Sequence, residues 1–201
     1  MAFLRRQLTR AKRWYAAAGR SCLLATLGVL ALLATAIPAS GQEASLSENQ
    51  IKAAFLINIP KYVDWPSEAF AQTNSPIVLG VLGTSEVGDE LKKMIASKTI
   101  NGRAVSIKQL EVKDDLSVCH ELFVSAGQQS QMPEIVRKLE GKCILTVGES
   151  SDFLEQGGMI NLMRDGSKIA LEVNLTAANQ ARLKISSRFL SVARLVKGKQ
   201  N

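Results

Sequence analysis

The stretch IVLGVLGTSEVGDELKKMI, residues 77–95, combines the two patterns that decide the fold. Its first six residues, 77–82, are apolar and rich in β-branched side chains, which is typical of a buried strand. Gly83-Thr84-Ser85 forms a turn, and Ser85 can cap the amphipathic helix that follows. A buried strand that leads directly into such a helix indicates an α/β fold.

The same alternation continues on both sides of this stretch. Ser47 and Gln50 fit a capping box that opens an amphipathic helix, and this helix should end or kink near Pro60. The other expected elements are strands at 104–110, 122–124, 143–147, 159–163 and 168–174, a helix at about 130–139, and a last helix that begins at Ser186 or Ser187 and presents Phe189, Val192, Ala193 and Val196 on one side. The turn between the last two strands predicts a hairpin. We therefore predict an α/β protein, a three-layer αβα sandwich with a mainly parallel sheet and a C-terminal hairpin.

The N-terminal segment has the features of an export signal. A basic region precedes the apolar run 22–37, and small residues at 39–41 offer a cleavage site. We predict a signal peptide at 1–41 and a single α/β domain at 42–201, hence a periplasmic location. An uncleaved membrane anchor is the alternative, although the apolar run is shorter than the roughly 20 residues that a membrane span needs.

The basic character of the chain belongs to that segment. The chain has 25 Lys and Arg against 18 Asp and Glu, a net charge of +7. Six basic residues and no acidic residue precede Gly41, which leaves 19 basic against 18 acidic residues and a net charge of about +1. Because no basic block remains after residue 41, we expect no nucleic-acid binding.

No arrangement of residues predicts catalysis. His120 is the chain's one histidine, and it follows Cys119 directly. Neighbouring residues of a strand point to opposite faces, so these two side chains do not form a nucleophilic pair. Two separated cysteines and one histidine do not make a zinc site either, and no phosphate-binding or dinucleotide-binding motif occurs. We expect a protein that is not an enzyme and has no cofactor or metal.

Two cysteines follow residue 41, Cys119 and Cys143, and each opens a predicted strand. If these strands are parallel neighbours, their first residues lie about 5 Å apart, a distance that a disulfide can bridge. We predict this bridge. Two free thiols are the alternative.

The sequence KYVDWP, residues 61–66, contains the one tyrosine and the one tryptophan that follow residue 41. Trp65 is expected to plug the core where the first helix is tied to the sheet, with Tyr62 nearer the surface. An exposed recognition site is the alternative. In the predicted hairpin Glu172 and Asn174 share one face. Three roles are open for this pair: a solvated face, support of the connection that leads to residues 183–187, or contact with a partner.

The order of several segments resembles the YfiR family of bacterial periplasmic proteins. The segments that carry the resemblance are 61–66, 81–83, 119–124, 145–148, 157–160, 171–174 and 183–187, together with Phe153, and the match runs from about Ile51 to Lys197. Within them Tyr62, Trp65, Pro66, Gly157 and Gly158 are expected to be structural.

The resemblance implies a repressor that binds the periplasmic sensor domain of an inner-membrane diguanylate cyclase. It further implies lower cyclic-di-GMP and less biofilm, a homodimer, an outer-membrane lipoprotein that sequesters the repressor, and a sensing role for the disulfide state. We expect partner contact at Glu172, Asn174, Lys184, Ser186 and Arg188, on the last hairpin and the start of the last helix. A periplasmic small-ligand-binding protein is the alternative function.

Overall fold

The computed structural model describes residues 46–96 and 98–196, so the predicted signal peptide lies outside the described residues. The helices are α1 (Glu48–Asn58), α2 (Glu86–Met94), α3 (Met132–Leu139), α4 (Leu175–Gln180) and α5 (Ser187–Leu190). The strands are β1 (Val63–Asp64), β2 (Ile77–Leu82), β3 (Thr99–Ile100), β4 (Arg103–Leu110), β5 (Glu121–Val124), β6 (Leu145–Gly148), β7 (Ile160–Asp165), β8 (Lys168–Val173), β9 (Lys184–Ile185) and β10 (Arg194–Leu195).

The helix starts follow the predicted capping residues. The Ser47 hydroxyl accepts the backbone N–H of Gln50, and the Gln50 side chain accepts the N–H of Ser47, so the capping box is confirmed. Ser85 caps α2 in the same way, through the N–H of Gly88. The first helix tightens at Pro60 into a 3₁₀ turn, Ile59–Tyr62, because proline has no N–H for the helical ladder.

The described residues form one large sheet in the order β10-β8-β7-β6-β5-β2-β4-β3, with a separate antiparallel pair of β1 and β9. Strands β2, β4, β5, β6 and β7 are parallel. Strand β8 is antiparallel to β7, which confirms the predicted hairpin. Strands β5 and β6 are parallel neighbours, as the cysteine argument assumed.

Each face of the sheet has its own core. On one face α1 and α2 cover residues such as Leu79 and Phe123. On the other face Met132 and Ile135 of α3 pack against Leu122. The arrangement of helices, sheet and helices confirms the three-layer αβα sandwich. No helix within 46–96 and 98–196 has the length and apolar character needed to cross a membrane.

The C-terminal part differs from the prediction. The last helix ends at Leu190, and Val192, expected on its buried side, is 71% exposed. The chain then pairs β10 with β8, because the hairpin leaves an open edge of backbone hydrogen-bonding groups there. Helix α4 was not expected either, and Asn174 caps it.

Candidate interaction surface

An apolar groove lies where the sheet extends beyond α1. It has a volume of about 460 Å³ and is lined by Phe55, Ile169, Ala170, Leu171, Val192 and Arg194. Leu195 pairs with Val173 across β10 and β8, so it lies on the same face as Val173, and it is 57% exposed. We call Phe55, Ile169, Val192 and Leu195 the C-terminal surface.

The fold leaves this surface open for a simple reason. Helix α1 covers the middle of the sheet, whereas β8 and β10 form its edge, and β10 pairs with β8 alone. The turn after α5 then carries Val192 outward. Uncovered apolar side chains at an edge are typical of a surface that another molecule covers.

Three basic side chains belong to the C-terminal part of the chain, and one of them, Arg194, lines the groove. Arg194 forms ion pairs with Glu172, at 3.1 Å, and with Asp165, at 3.9 Å. Lys184 and Arg188 are exposed, and neither side chain forms an ion pair with another described residue. These two charges therefore remain available to an acidic partner.

The five predicted contact residues have different roles. Lys184 and Arg188 are exposed, and Glu172 is half-buried in its ion pair with Arg194. Asn174 is only 3% exposed: its Oδ1 accepts the N–H of Ala177, and its Nδ2 donates to the carbonyl of Leu154. Ser186 caps α5. Asn174 and Ser186 thus stabilise the scaffold, and only Lys184 and Arg188 of the predicted set are fully exposed.

The apolar members of the surface were not among the predicted contacts. Val192 was expected in the core, because the segment after Ser186 resembles one longer helix. The signal that favours a strand there is the pair Leu195-Val196. These two apolar residues, one of them β-branched, stand directly before the polar end of the chain.

The segment 61–66 ties the C-terminal region to α1. Val63 is buried and pairs with Ile185, and the carbonyl of Tyr62 accepts the N–H of Ser186 at 2.8 Å. The Tyr62 ring lies 5.8 Å from the Phe189 ring. Trp65 and Pro66 are half-buried, and Trp65 packs at the margin of the core rather than at its centre.

The two other predicted structural residues, Gly157 and Gly158, have different roles, and Gly158 makes room for an aromatic ring. A Cβ atom at Gly158 or at Gly148 would overlap the ring of Phe153, which is completely buried. Gly157 has φ of +94°, a conformation that favours glycine.

Both cysteines are free thiols in the structure, so the predicted bridge is not present there. The strands are neighbours, but Cys119 belongs to the core on the α3 side, whereas Cys143 packs against the core on the α1 side. Burial raises the pKa of Cys119 to about 12, which keeps this thiol protonated. Among the described residues no group of three or more His, Cys, Asp or Glu side chains could hold a metal ion.

A second opening lies between α3 and α4. It has a volume of about 620 Å³, with apolar walls that include Val136, Met159 and Ala181. Arg137 and Glu140 lie at its margin, so the opening offers one charge of each sign. Its size falls within the range of small-molecule sites.

Two titratable side chains, Lys52 and Glu121, are buried in the scaffold. Lys52 contacts Glu48 at 2.9 Å and Glu149 at 3.0 Å. Burial favours the neutral amine, but the hydrogen bonds that Lys52 donates to Glu48 and Glu149, together with the two carboxylate charges, outweigh it and raise the pKa of Lys52. Glu121 is 1% exposed and its Oε2 has no hydrogen-bond partner among the described residues, so burial raises its pKa well above the usual range.

The fold and its surface define an α/β protein with a mainly parallel sheet and an uncovered apolar face at one edge. The chain belongs to the YfiR/HmsC-like family, whose model matches residues 49–194. Membership of this family supports, at the level of the family, a periplasmic regulator of a diguanylate cyclase system.

The fold also resembles a solved structure described as the ABC domain in complex with L-Trp from Streptococcus pneumonia. The TM-score is 0.50 and the sequence identity is 12%, so the likeness concerns the fold. It covers 74% of this chain, and this chain spans 60% of the length of that structure.

Proposed function

We propose that this protein is a periplasmic repressor without enzymatic activity that binds the sensor domain of an inner-membrane diguanylate cyclase through the C-terminal surface. Membership of the YfiR/HmsC-like family supports the signalling context. The observation that carries the surface assignment is the apolar groove beside Val192, which is 71% exposed.

The chemistry of the surface suggests the kind of partner it binds. Covering an apolar side chain contributes about 25 cal/mol for each Å² removed from water, so Val192 and Leu195 favour association. The exposed cations Lys184 and Arg188 favour a partner with acidic residues beside an apolar patch. An outer-membrane lipoprotein that sequesters the repressor would compete for this surface, and a homodimer would present two copies of it.

The function is tested in cells that retain the cyclase. Deleting the gene should raise cyclic-di-GMP and biofilm, and a plasmid copy should restore both. Unchanged cyclic-di-GMP after deletion would contradict repression.

Binding is tested with purified proteins. The sensor domain should be retained by the immobilised repressor, and salt should weaken retention because exposed charges contribute. Retention of the cyclase by an unrelated periplasmic protein of similar charge would show that the interaction is not specific.

The opening between α3 and α4 favours small-ligand binding as a second function. Its volume of about 620 Å³ and its charges, Arg137 and Glu140, suit a small molecule with an apolar part and polar groups. A thermal-shift screen with nucleotides and amino acids should then give a hit that Arg137→Ala abolishes. A flat response across the panel would count against this function.

A further inference from the structure

His120 joins three parts of the molecule at the amino-terminal edge of the sheet. Its backbone N–H donates to the carbonyl of Val78 at 2.9 Å, and its Nδ1 accepts the N–H of Val78 at 3.1 Å. Its ring stacks on Phe70, with ring centroids 4.5 Å apart. One imidazole therefore links β5, β2 and the segment 65–75 that precedes β2.

Phe70 is the anchor of that segment. The Arg103 guanidinium lies 3.8 Å from the centre of its ring, and Arg103 donates a hydrogen bond of 2.7 Å to the carbonyl of Ser75. The ring of Trp65 meets Phe70 edge-on at 6.4 Å. Segment 65–75 contains one short 3₁₀ turn and no strand that pairs with the sheet. Its attachment to the sheet therefore depends on these side-chain contacts.

The hydrogen bond from Val78 fixes the protonation state of the ring. An Nδ1 that accepts a hydrogen bond has no proton, so the neutral ring carries its proton on Nε2. Adding a second proton would make Nδ1 a donor that faces the N–H donor of Val78. It would also place a second cation against Phe70, which Arg103 already contacts.

We propose that His120 attaches segment 65–75 to the sheet in a pH-dependent way. Protonation of its imidazole breaks the hydrogen bond from Val78 and the stack on Phe70, and thereby releases the segment from the sheet. The released segment includes Trp65, which follows β1 directly. Because β1 pairs with β9, release would also loosen the strand that carries Lys184, one of the exposed cations proposed for partner contact. That last consequence rests on the proposed function, whereas the release of the segment does not.

The surroundings of His120 disfavour its cation. Burial lowers the pKa of His120; the backbone of Ala69 opposes this by a smaller amount, and the charge of Arg103 lowers the pKa a little further. The other titratable or charged groups around the ring are Glu68, which pairs with Arg182 at 2.8 Å, Lys142, the thiols of Cys119 and Cys143, and the neighbouring Glu121, whose pKa is raised by burial. None of them supplies a free carboxylate to the imidazolium.

The sign of the pH effect follows from the lowered pKa. The unfolded chain binds the proton more readily than the folded one, so the stability from the neutral ring is present above about pH 6.5, the ordinary value for histidine. It is lost as the pH falls through the lower pKa of the folded state. Acid therefore weakens the attachment of segment 65–75 to the sheet.

The test uses NMR of the isolated full chain, in which one histidine gives one set of imidazole signals. At pH 7.5 the ring should be the Nε2–H tautomer. On titration to pH 5, its midpoint should lie below about 6.5. The amide signal of Phe70 and the indole N–H signal of Trp65 should shift with the same midpoint.

Two variants complete the test. His120→Asn places an amide oxygen near the position of Nδ1 and does not titrate, so the signals of Phe70 and Trp65 should stay constant over this pH range. Phe70→Leu removes the stack, so the Trp65 indole signal at pH 7.5 should move toward its position in the acidified wild type.

Three results would contradict this role of His120: the Nδ1–H tautomer at pH 7.5, a titration midpoint of the imidazole at or above about 6.5, or a shift of the Trp65 indole signal on acidification that persists in His120→Asn. If His120→Asn does not fold, the tautomer and the shared midpoint in the wild type decide the matter. Because no cyclase is present, failure here is distinct from failure of the repressor proposal.

Discussion

Phe153 has its place in the core because two glycines leave room for its ring. Gly148 and Gly158 lie so close to the ring that a methyl group on either would overlap it. We expect Gly158→Ala to lower the free energy of unfolding by about 1–3 kcal/mol, the usual cost of an overpacked core.

Urea unfolding measures this loss, with Gly127→Ala as the matched control. An added Cβ at Gly127 meets nothing within 4 Å, so that variant should keep wild-type stability. Equal stability of the two variants would mean that Phe153 moves aside without cost.

Glu121 predicts a pH dependence opposite to that of His120. Its raised pKa means that the folded state binds the carboxyl proton more readily than the unfolded chain does. This contribution to stability is full below about pH 4.3, the ordinary value for glutamate, and is lost as the pH rises through the folded pKa. Glu121→Gln should therefore be more stable than the wild type at pH 8, with a difference that shrinks toward pH 5.

The measurement is the free energy of unfolding at several pH values. His120 contributes equally to both proteins and cancels in the difference. Exposed Glu111→Gln is the control and should show no such trend. A constant difference between Glu121→Gln and the wild type would indicate that Glu121 has a partner that stabilises its charge.

Local side-chain chemistry could be predicted at some residues and not at others. Ser47 and Ser85 can be assigned as caps because the signal depends on residues within one turn of the helix. Asn174 shows the limit. Strand alternation places it beside Glu172 on one face, but the strand ends at Val173 and Asn174 begins α4. A residue that ends one pattern and starts another carries too little local information to assign.

At the scale of elements, α1 is attached to the sheet by charge as well as by apolar packing. Lys52 of α1 reaches Glu149 at the end of β6, and both side chains are largely buried. Lys52→Met keeps the length of the side chain but leaves Glu149 without its cation. We expect a loss of about 3–5 kcal/mol, as for other buried pairs that lose one member.

Thermal or urea unfolding of Lys52→Met tests this expectation against Lys92→Met. Lys92 pairs with Asp89 at 3.3 Å on the solvent side of α2, where an ion pair contributes about 0–1 kcal/mol. If both variants lose the same amount, the attachment of α1 is apolar and the buried pair contributes little.

Element types in the middle of the chain could be predicted because each one has its own period. The strand β2 has the predicted bounds, and α2 begins after the predicted cap. The prediction of a longer last helix is wrong because Phe189, Val192 and Val196 match a helical spacing, while the open edge of β8 offers backbone hydrogen bonds to residues 194–196. Tertiary pairing outweighs local periodicity in a segment this short.

At the scale of the whole molecule, the strand order could not be predicted from periodicity. The chain passes from β2 to β4 on one side and then crosses to β5 on the other. Strands β2 and β5 are buried over most of their length, whereas β4 alternates apolar and polar residues, but this difference does not say on which side of β2 each one lies. The C-terminal surface is a consequence of that order, since it lies where the helical layer ends.

The assignment of that surface predicts an effect on binding without an effect on folding. Leu195→Asp places a charge on the exposed edge strand beside β8, so a partner that covers the C-terminal surface would have to bury it. We expect binding to the cyclase sensor domain to weaken at least tenfold, which corresponds to about 1.4 kcal/mol.

Leu46→Asp is the matched control, because Leu46 is 60% exposed and Leu195 is 57% exposed, while Leu46 lies outside the C-terminal surface. Since both leucines are largely in water, neither variant should change the melting temperature by more than a few degrees. Calorimetric titration with the sensor domain gives the affinities, and cyclic-di-GMP in complemented deletion strains gives the cellular effect. If Leu195→Asp binds as tightly as Leu46→Asp, the partner contacts another face, and the exposed edge at β10 has a different occupant.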